Sequence, residues 1–354
     1  MEPEYFYGVF FMVIVDALTV AANFVVRERK VSAPDVVLSK GIFQIIISMF
    51  VIIFSASLNS SSLQCLNKRN RDDVRYEKIV EDIKEKPTVR EAVLPSKWSD
   101  KNWAILFGFL GGIKHTTAFV ALHFMPVSDF TLFATTMVIF TYVFGYFMIG
   151  TKLTCLKSLP CFMLLGGICL ALKPSFIFEH NNIGTMDRAT FTKHENIKIS
   201  KIVNGNEYWI GILLSLLFSL SAAINKIIPK KCRNVSCITI LLWSGIGDIL
   251  AAFLAYVIPD MQLHLLSPKS LTETQLLVIV SLGIMSIVTN FLIIYSDRIG
   301  SPVINSVVRR SEILLVVLID MAYFRQYPDT IEAVGYSIVF ASVIFKIAAD
   351  KFDW

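Results

Sequence analysis

Apolar runs near twenty residues long recur from one end of this chain to the other. A helix of that length matches the roughly 30 Å of hydrocarbon in a bilayer. Ten such runs can be drawn, at approximately 5–26, 35–57, 102–124, 127–149, 156–172, 208–228, 237–258, 275–296, 302–324 and 329–348. Within hydrocarbon no water is available to backbone N–H and C=O groups, so each run must satisfy its own as a helix. Composition points the same way. The chain is 55% hydrophobic and 17% charged, with a mean hydropathy of +0.62, against roughly 25% charged residues in soluble domains. A soluble enzyme, a nucleic-acid-binding protein and a secreted disulfide scaffold are excluded. The expected fold is an all-α polytopic membrane protein seated in a lipid bilayer. The first run opens at Tyr5 with no basic segment before it and no small-residue cleavage site, so it reads as a retained helix.

The charges are unevenly spread. Of 33 basic and 28 acidic residues, 10 and 8 fall between Asn59 and Lys101. The net charge of +5 therefore reports topology first, because Lys and Arg concentrate in cytoplasmic connections. Counted that way, connections alternate so that both termini and the 59–101 loop are expected in the cytoplasm. Within that loop Ile79, Val80 and Ile83 share a helical spacing, which permits a short surface helix; a solvated charged loop is the other reading. A second long connection, 174–207, is polar and rich in Asn, Lys and Thr.

These two connections organise the chain as 1–173, a linker at 174–207, and 208–354. The stretch 127–172 and the stretch 302–348 each hold a span, a short connection and a closing span, and at an offset of 174 residues Phe144 to Lys152 sits over Leu318 to Gln326. Five spans per half is an odd number, so the halves must enter the membrane from opposite sides, the inverted-repeat geometry of secondary transporters.

Residues that carry chemistry are few. No Walker-A, GxGxxG, GxSxG or HExxH pattern occurs; His194-Glu195 begins the last, but Lys198 stands in place of its second histidine. No cofactor or metal is expected, and no enzyme. The six cysteines form no zinc-type pairs, and none is expected on the oxidising side. The informative groups are ionisable residues inside apolar runs, each costing several kcal/mol unless paired or hydrated: Asp16, Lys40, Lys114, Asp248, Arg309, Arg310, Glu312 and Asp320.

Arg309 and Glu312, three apart, are expected to share a helical face and to pair, as a cationic site for an anionic solute or as a structural ion pair. Lys40 and Gln44 share a face of the second span, although Lys40 could instead snorkel to the interface. Lys114-His115 lie mid-span and need a partner or a water-filled cavity, and Asp248 could pair with one of these bases. Gly108 and Gly112 form a GxxxG step, and Gly166-Gly167 a second close-approach point. Both suit packing within one chain or between subunits of a homodimer. Tyr5, Phe6, Tyr7, Trp98, Trp103, Tyr208 and Trp209 stand at span edges as interface anchors.

The fourth span also carries a likeness. Met125 to Thr131 (Met-Pro-Val-Ser-Asp-Phe-Thr), then Thr136, Phe140 and Thr141, resemble the "MPLADAT…FTSPVFT" stretch of the drug/metabolite transporter superfamily, and more narrowly the G-type branch of solute carrier family 35, whose halves are EamA domains. Val307 to Glu312 (Val-Val-Arg-Arg-Ser-Glu) is similar to the "LRSLD" of that branch's ninth helix. Lys40 and Gln44 match its R-x-x-x-Q pattern, with lysine for arginine. The resemblance implies ten helices in two inverted EamA-like halves, a central cavity lined by both, and Thr131, Thr135, Arg309 and Glu312 among its lining residues. It further implies secondary transport of a small polar or anionic metabolite, nucleotide-sugar-like or another organic solute, by alternating access in an endomembrane or the plasma membrane. With Lys40, Gln44 and Lys114, these residues make the candidate substrate site. The rival expectation is a non-transporting membrane adaptor that recruits a cytosolic partner through loop 59–101.

Overall fold

The computed structural model describes residues 3–29, 33–67, 93, 95, 97–125, 127–150, 155–173, 205–232, 234–256, 265, 271–310, 312–322, 325 and 327–351. The expected surface helix around Ile79 and most of the 174–207 linker lie outside these residues, as do the side chains of Tyr5, Phe6 and Asp320. The described structure is all-helical. Its helices are α1 (Pro3–Arg29), α2 (Ala33–Asn67), α3 (Trp98–Phe124), α4 (Val127–Thr135), α5 (Met137–Ile149), α6 (Cys155–Leu172), α7 (Gly205–Lys231), α8 (Cys237–Tyr256), α9 (Glu273–Ile299), α10 (Pro302–Arg309), α11 (Glu312–Ala322) and α12 (Thr330–Lys351). Seven stretches are long and apolar enough to cross a bilayer: 34–55, 98–122, 129–149, 208–231, 237–256, 273–299 and 330–349. Tyr7–Ala21 and Ser158–Leu172 are shorter apolar helices.

The distribution of polarity is that of a membrane bundle. Phe50, Phe147, Leu213, Leu277 and Phe340 are exposed, whereas Asp16, Gln44, Ser48, Thr141, Ser215, Ser219, Asp248 and Lys346 are buried. Water would penalise so much exposed apolar surface, and lipid does not. Trp98, Trp209 and Tyr7 are also exposed, as interface anchors should be. Some buried hydroxyls return to their own helix: Thr141 Oγ1 donates to the Met137 carbonyl at 2.7 Å and Ser306 Oγ to that of Pro302 at 2.7 Å. Others reach a neighbouring helix, as Ser296 Oγ does to the Gly8 carbonyl at 2.7 Å.

Helix starts and stops follow local chemistry. Thr272 and Gln275 form a capping box at the start of α9, and Pro302 occupies the first turn of α10, where its missing N–H is not needed. Two expected spans are each interrupted once. At Thr136 the amide reaches only the Phe133 carbonyl (3.1 Å), and the Thr136 hydroxyl takes the same oxygen at 2.6 Å. At Arg310 the amide likewise reaches three residues back, to Val307 (3.0 Å). Both are tight turns that reset the helix, and they lie 174 residues apart, the offset already visible in the sequence.

Most packing joins the first part of the chain to the second: α6 against α12, α3 against α7 and α8, α2 against α8 and α9, α1 against α9, and α5 against α7 and α10. Glycines set the closest crossings. Gly108 and Gly112 abut Trp243 and Gly247, Gly41 abuts Gly245, and Gly167 abuts Gly335. The expected GxxxG step thus packs within the chain.

Candidate functional site

Charged side chains from α2, α3, α7, α8 and α10 lie within electrostatic reach of one another. Lys40 on α2 places its Nζ 3.0 Å from Asp248 Oδ2, and His115 on α3 brings Nε2 to 3.2 Å from Asp248 Oδ1. Asp248 on α8 is 1% exposed, whereas Lys40 and His115 keep 14% and 23% of their side-chain surface accessible. The glycines make this reach possible. Gly41 and Gly245 bring α2 onto α8, and Gly112 with Gly247 bring α3 onto α8, each within about one turn of the residues that pair.

Lys114 makes no ion pair among the described residues, but it lies within electrostatic reach of Lys40, Asp248, Arg309 and Lys226. Lys226 on α7 is 6% exposed. Its ammonium has no hydrogen-bond partner among the described residues, and Asp297, Arg309, Arg310 and Asp16 surround it at electrostatic range. Gln44, one turn beyond Lys40, is fully buried, and neither atom of its amide is hydrogen-bonded among the described residues.

The ninth expected span differs from its sequence reading. Arg309 and Glu312 would face each other on a continuous helix, but the turn at Arg310 breaks the i, i+3 relation. It is Arg310 that reaches Glu312, at 3.8 Å, and its guanidinium also donates to the Ala134 carbonyl at 3.2 Å. Ala134 sits just before the break at Thr136, so the two interrupted spans meet through one arginine. Arg309 is half-buried and holds no ion pair among the described residues. Thr131 is half-buried and Thr135 is buried; the Thr135 hydroxyl donates to the Thr131 carbonyl at 2.7 Å.

Of the expected site residues, Lys40, Lys114, Arg309 and Glu312 are gathered with Asp248 and His115 around this cluster, while Thr131 and Thr135 stand on the helix that Arg310 contacts. The sequence reading missed Lys226, Asp297, Asp129 and Lys346. Lys226 lies one turn before Lys230-Lys231 and reads with that basic helix end. Asp297 and Lys346 lie near helix ends in the same way. Lys346 is buried with its ammonium 5.4 Å from the Tyr142 ring, and Asp129 accepts from the Tyr208 hydroxyl at 2.8 Å. Two apolar grooves occur on the flanks, one lined by Met163, Ala333, Ser337 and Ala341, the other by Ala17, Val20, Leu315 and Leu318. They hold no charged group.

Outside the spans, Lys173 and Asp329 tie the end of α6 to the start of α12, and Glu332 joins them at 3.4 Å. Burial works against the Lys173 charge, but the hydrogen bond and charge of Asp329 and Glu332 outweigh it and hold the ammonium above its ordinary range. The Glu332 backbone N–H, then Lys173, hold the Asp329 carboxyl below its own. Cys232, buried behind the end of α7, is pushed up to about 11, chiefly by burial, which makes it a poor nucleophile.

Apolar helices around a buried, partly accessible charge cluster define an α-helical, multi-pass integral membrane protein. No family model matches the chain. Chains of known structure share its fold: one crystal structure superposes with a TM-score of 0.62 over 96% of this chain and 97% of that one, at 15% identity. At that identity the likeness is one of fold.

Proposed function

We propose that this protein is a secondary transporter of a small polar or anionic metabolite, built as ten spans in two inverted five-helix, EamA-like halves that alternate access to a central site. The observation that carries the reading is the set of cations with no ion pair among the described residues, Lys114, Lys226 and Arg309, gathered with a paired Asp248 at helices from both halves. Burying charge without a partner costs several kcal/mol, and a bundle meant only to be rigid gains nothing from it. A solute anion that visits the cluster would offset that cost.

The repeat is supported by contacts that exchange with one another. Gly8 abuts Gly300 as Gly211 abuts Met125. Gly108 meets Trp243 and Gly247 as Gly283 meets Ser39 and Phe43. Gly41 and Gly245 touch reciprocally, as do Gly167 and Gly335. Swapping α1 with α7, α2 with α8, α3 with α9 and α6 with α12 maps these contacts onto one another. The interruptions at Thr136 and Arg310 correspond in the same way, and broken spans at matched positions are a common feature of transporter binding sites.

The test is uptake into vesicles reconstituted with the full chain, against a panel of carboxylated, phosphorylated and neutral polar metabolites. At least one solute should accumulate in a protein-dependent, saturable manner, and Arg309→Ala should abolish it. Wild-type rates in Arg309→Ala would refute the cationic site. No movement of any anionic or polar solute would refute the transporter.

A further inference from the structure

The same exchange of contacts puts two pairs of polar residues in corresponding places. The correspondence that carries Trp243 and Gly247 onto Ser39 and Phe43 carries Asp248 onto Gln44 and Ser244 onto Lys40. The correspondence that carries Gly108 onto Gly283 carries His115 onto Asn290. The mirror image of the contact between His115 on α3 and Asp248 on α8 is therefore one between Asn290 on α9 and Gln44 on α2. The first is an ion pair, with His115 Nε2 3.2 Å from Asp248 and Lys40 bracing it at 3.0 Å, although neither Asp248 oxygen meets hydrogen-bond geometry among the described residues. The second is not made. Gln44 Nε2, Gln44 Oε1 and Asn290 Nδ2 are all buried, and none has a hydrogen-bond partner among the described residues.

Buried amides without partners are rare, because each forfeits the hydrogen bonds it had in water. Here the idle pair sits where the symmetry of the bundle predicts a contact, and its chemistry is complementary: Asn290 can donate and Gln44 can accept, or the reverse. The α2–α9 crossing is already close, since Ser39 Oγ donates to the Ile279 carbonyl at 3.0 Å.

Resting on the transporter reading, we propose that Gln44 and Asn290 are positioning residues for the transport cycle. They form a second latch that closes between α2 and α9 when the His115–Asp248–Lys40 latch between α3 and α8 opens. In an inverted repeat the two crossings lie on opposite sides of the site. The present state is the one with the α3–α8 ion pair made and the Gln44–Asn290 hydrogen bond not made. The latches are unequal. One is ionic and braced by Lys40; the other is neutral, and Ser244 stands at the place of the brace. That inequality holds the resting protein in the present state, and solute arriving among Lys114, Lys226 and Arg309 shifts it.

The experiment measures which face of the membrane reaches the site. A single cysteine at Thr131, in full-length protein whose native cysteines are replaced by serine or alanine, is labelled by a membrane-impermeant maleimide. The reagent is applied in turn to each face of sealed vesicles of known orientation, and size-exclusion profiles confirm folding of every variant. Asn290→Leu, which removes the neutral latch, should move the ratio of labelling rates between the faces about fivefold toward the face open in the wild type. The double variant Gln44→Asp with Asn290→His, and separately Asp248→Asn, should move it about tenfold the other way. A reporter labelled from both faces at a ratio unchanged by Asn290→Leu and by the Asp–His transplant would overturn the latch while leaving the transporter standing. A reporter reached from one face alone in every variant would overturn both.

Discussion

Gly247 is the residue at which the packing of this bundle can be tested most directly. A Cβ placed there would run into the Gly108 carbonyl, standing 2.7 Å from its carbon and 3.2 Å from the Gly112 nitrogen, both of them backbone. Non-bonded carbons settle at about 3.5–4.0 Å, and the Gly108 oxygen is nearer still, so Gly247→Ala must push α3 and α8 apart by at least about 0.8 Å. A gap of that size forfeits a quarter to a half of each contact energy. With about 50 atom pairs across the crossing at 0.1–0.2 kcal/mol each, the loss is about 1–5 kcal/mol, centred near 3. Alanine returns about 1 kcal/mol in helix propensity. The net is a destabilisation of about 2 kcal/mol, within the range of small-to-large core substitutions. In a chain of this size that lowers the melting temperature by about 4 °C. The assay is thermal unfolding in detergent by scanning fluorimetry. Gly166→Ala is the matched control, because a Cβ there meets nothing within 4 Å, and it should melt at or slightly above the wild type. If Gly247→Ala melts as high as Gly166→Ala, the α3–α8 crossing is not where the structure has it.

Other expectations follow from the charged groups and the topology. Arg310→Ala leaves Glu312 and the Ala134 carbonyl without their donor and should destabilise by about 3 kcal/mol, whereas Arg309→Ala should abolish uptake and melt within 1 kcal/mol of the wild type, taken as about 2 °C; comparing the two melting curves checks the assignment. Asp329→Ala should cost about 1 kcal/mol, mostly as a lost helix cap, because at 46% exposure its ion pair with Lys173 is screened. The lowered Asp329 pKa means its contribution is present above about pH 4 and fades as pH falls through the folded value. The raised Lys173 pKa means its contribution is present below about pH 10 and fades as pH rises through the folded value. A melting profile in pH should therefore lose its Asp329-dependent part at both extremes. Asn59 and Asn234 lie in cytoplasmic connections on this topology, so neither should be glycosylated; a glycosidase-sensitive mass shift removed by Asn234→Gln would reverse the orientation.

Where the helices lie was legible because hydropathy and length act locally; the described helices track the expected runs to within a few residues, apart from α2, which continues to Asn67, and seven stretches among them are long and apolar enough to cross a bilayer. How the spans are interrupted was not legible. Thr136 and Arg310 are neither glycine nor proline, and their turns arise from hydrogen bonds that a pattern of residue types does not encode. Asp248 was expected to pair with one of the buried bases, and it holds Lys40 and His115. Arg309 was expected to pair with Glu312, and the turn hands that role to Arg310. Charges near helix ends were the other blind spot: Lys226 looks like part of a basic terminus until the rest of the bundle surrounds it.

The packing of the first helices against the last has a consequence for synthesis. When residues 1–173 have left the ribosome, α2 has yet to meet α8, α3 has yet to meet α7, and α6 has yet to meet α12. Lys40 and His115 must wait for Asp248, and the Ala134 carbonyl for Arg310. The early spans therefore enter the bilayer carrying polar faces that only the later spans can cover. An insertion chaperone, or delayed release from the translocation channel, would have to shelter them in the interval. Truncated chains ending near residue 200 should be substrates for membrane quality control rather than stable half-proteins.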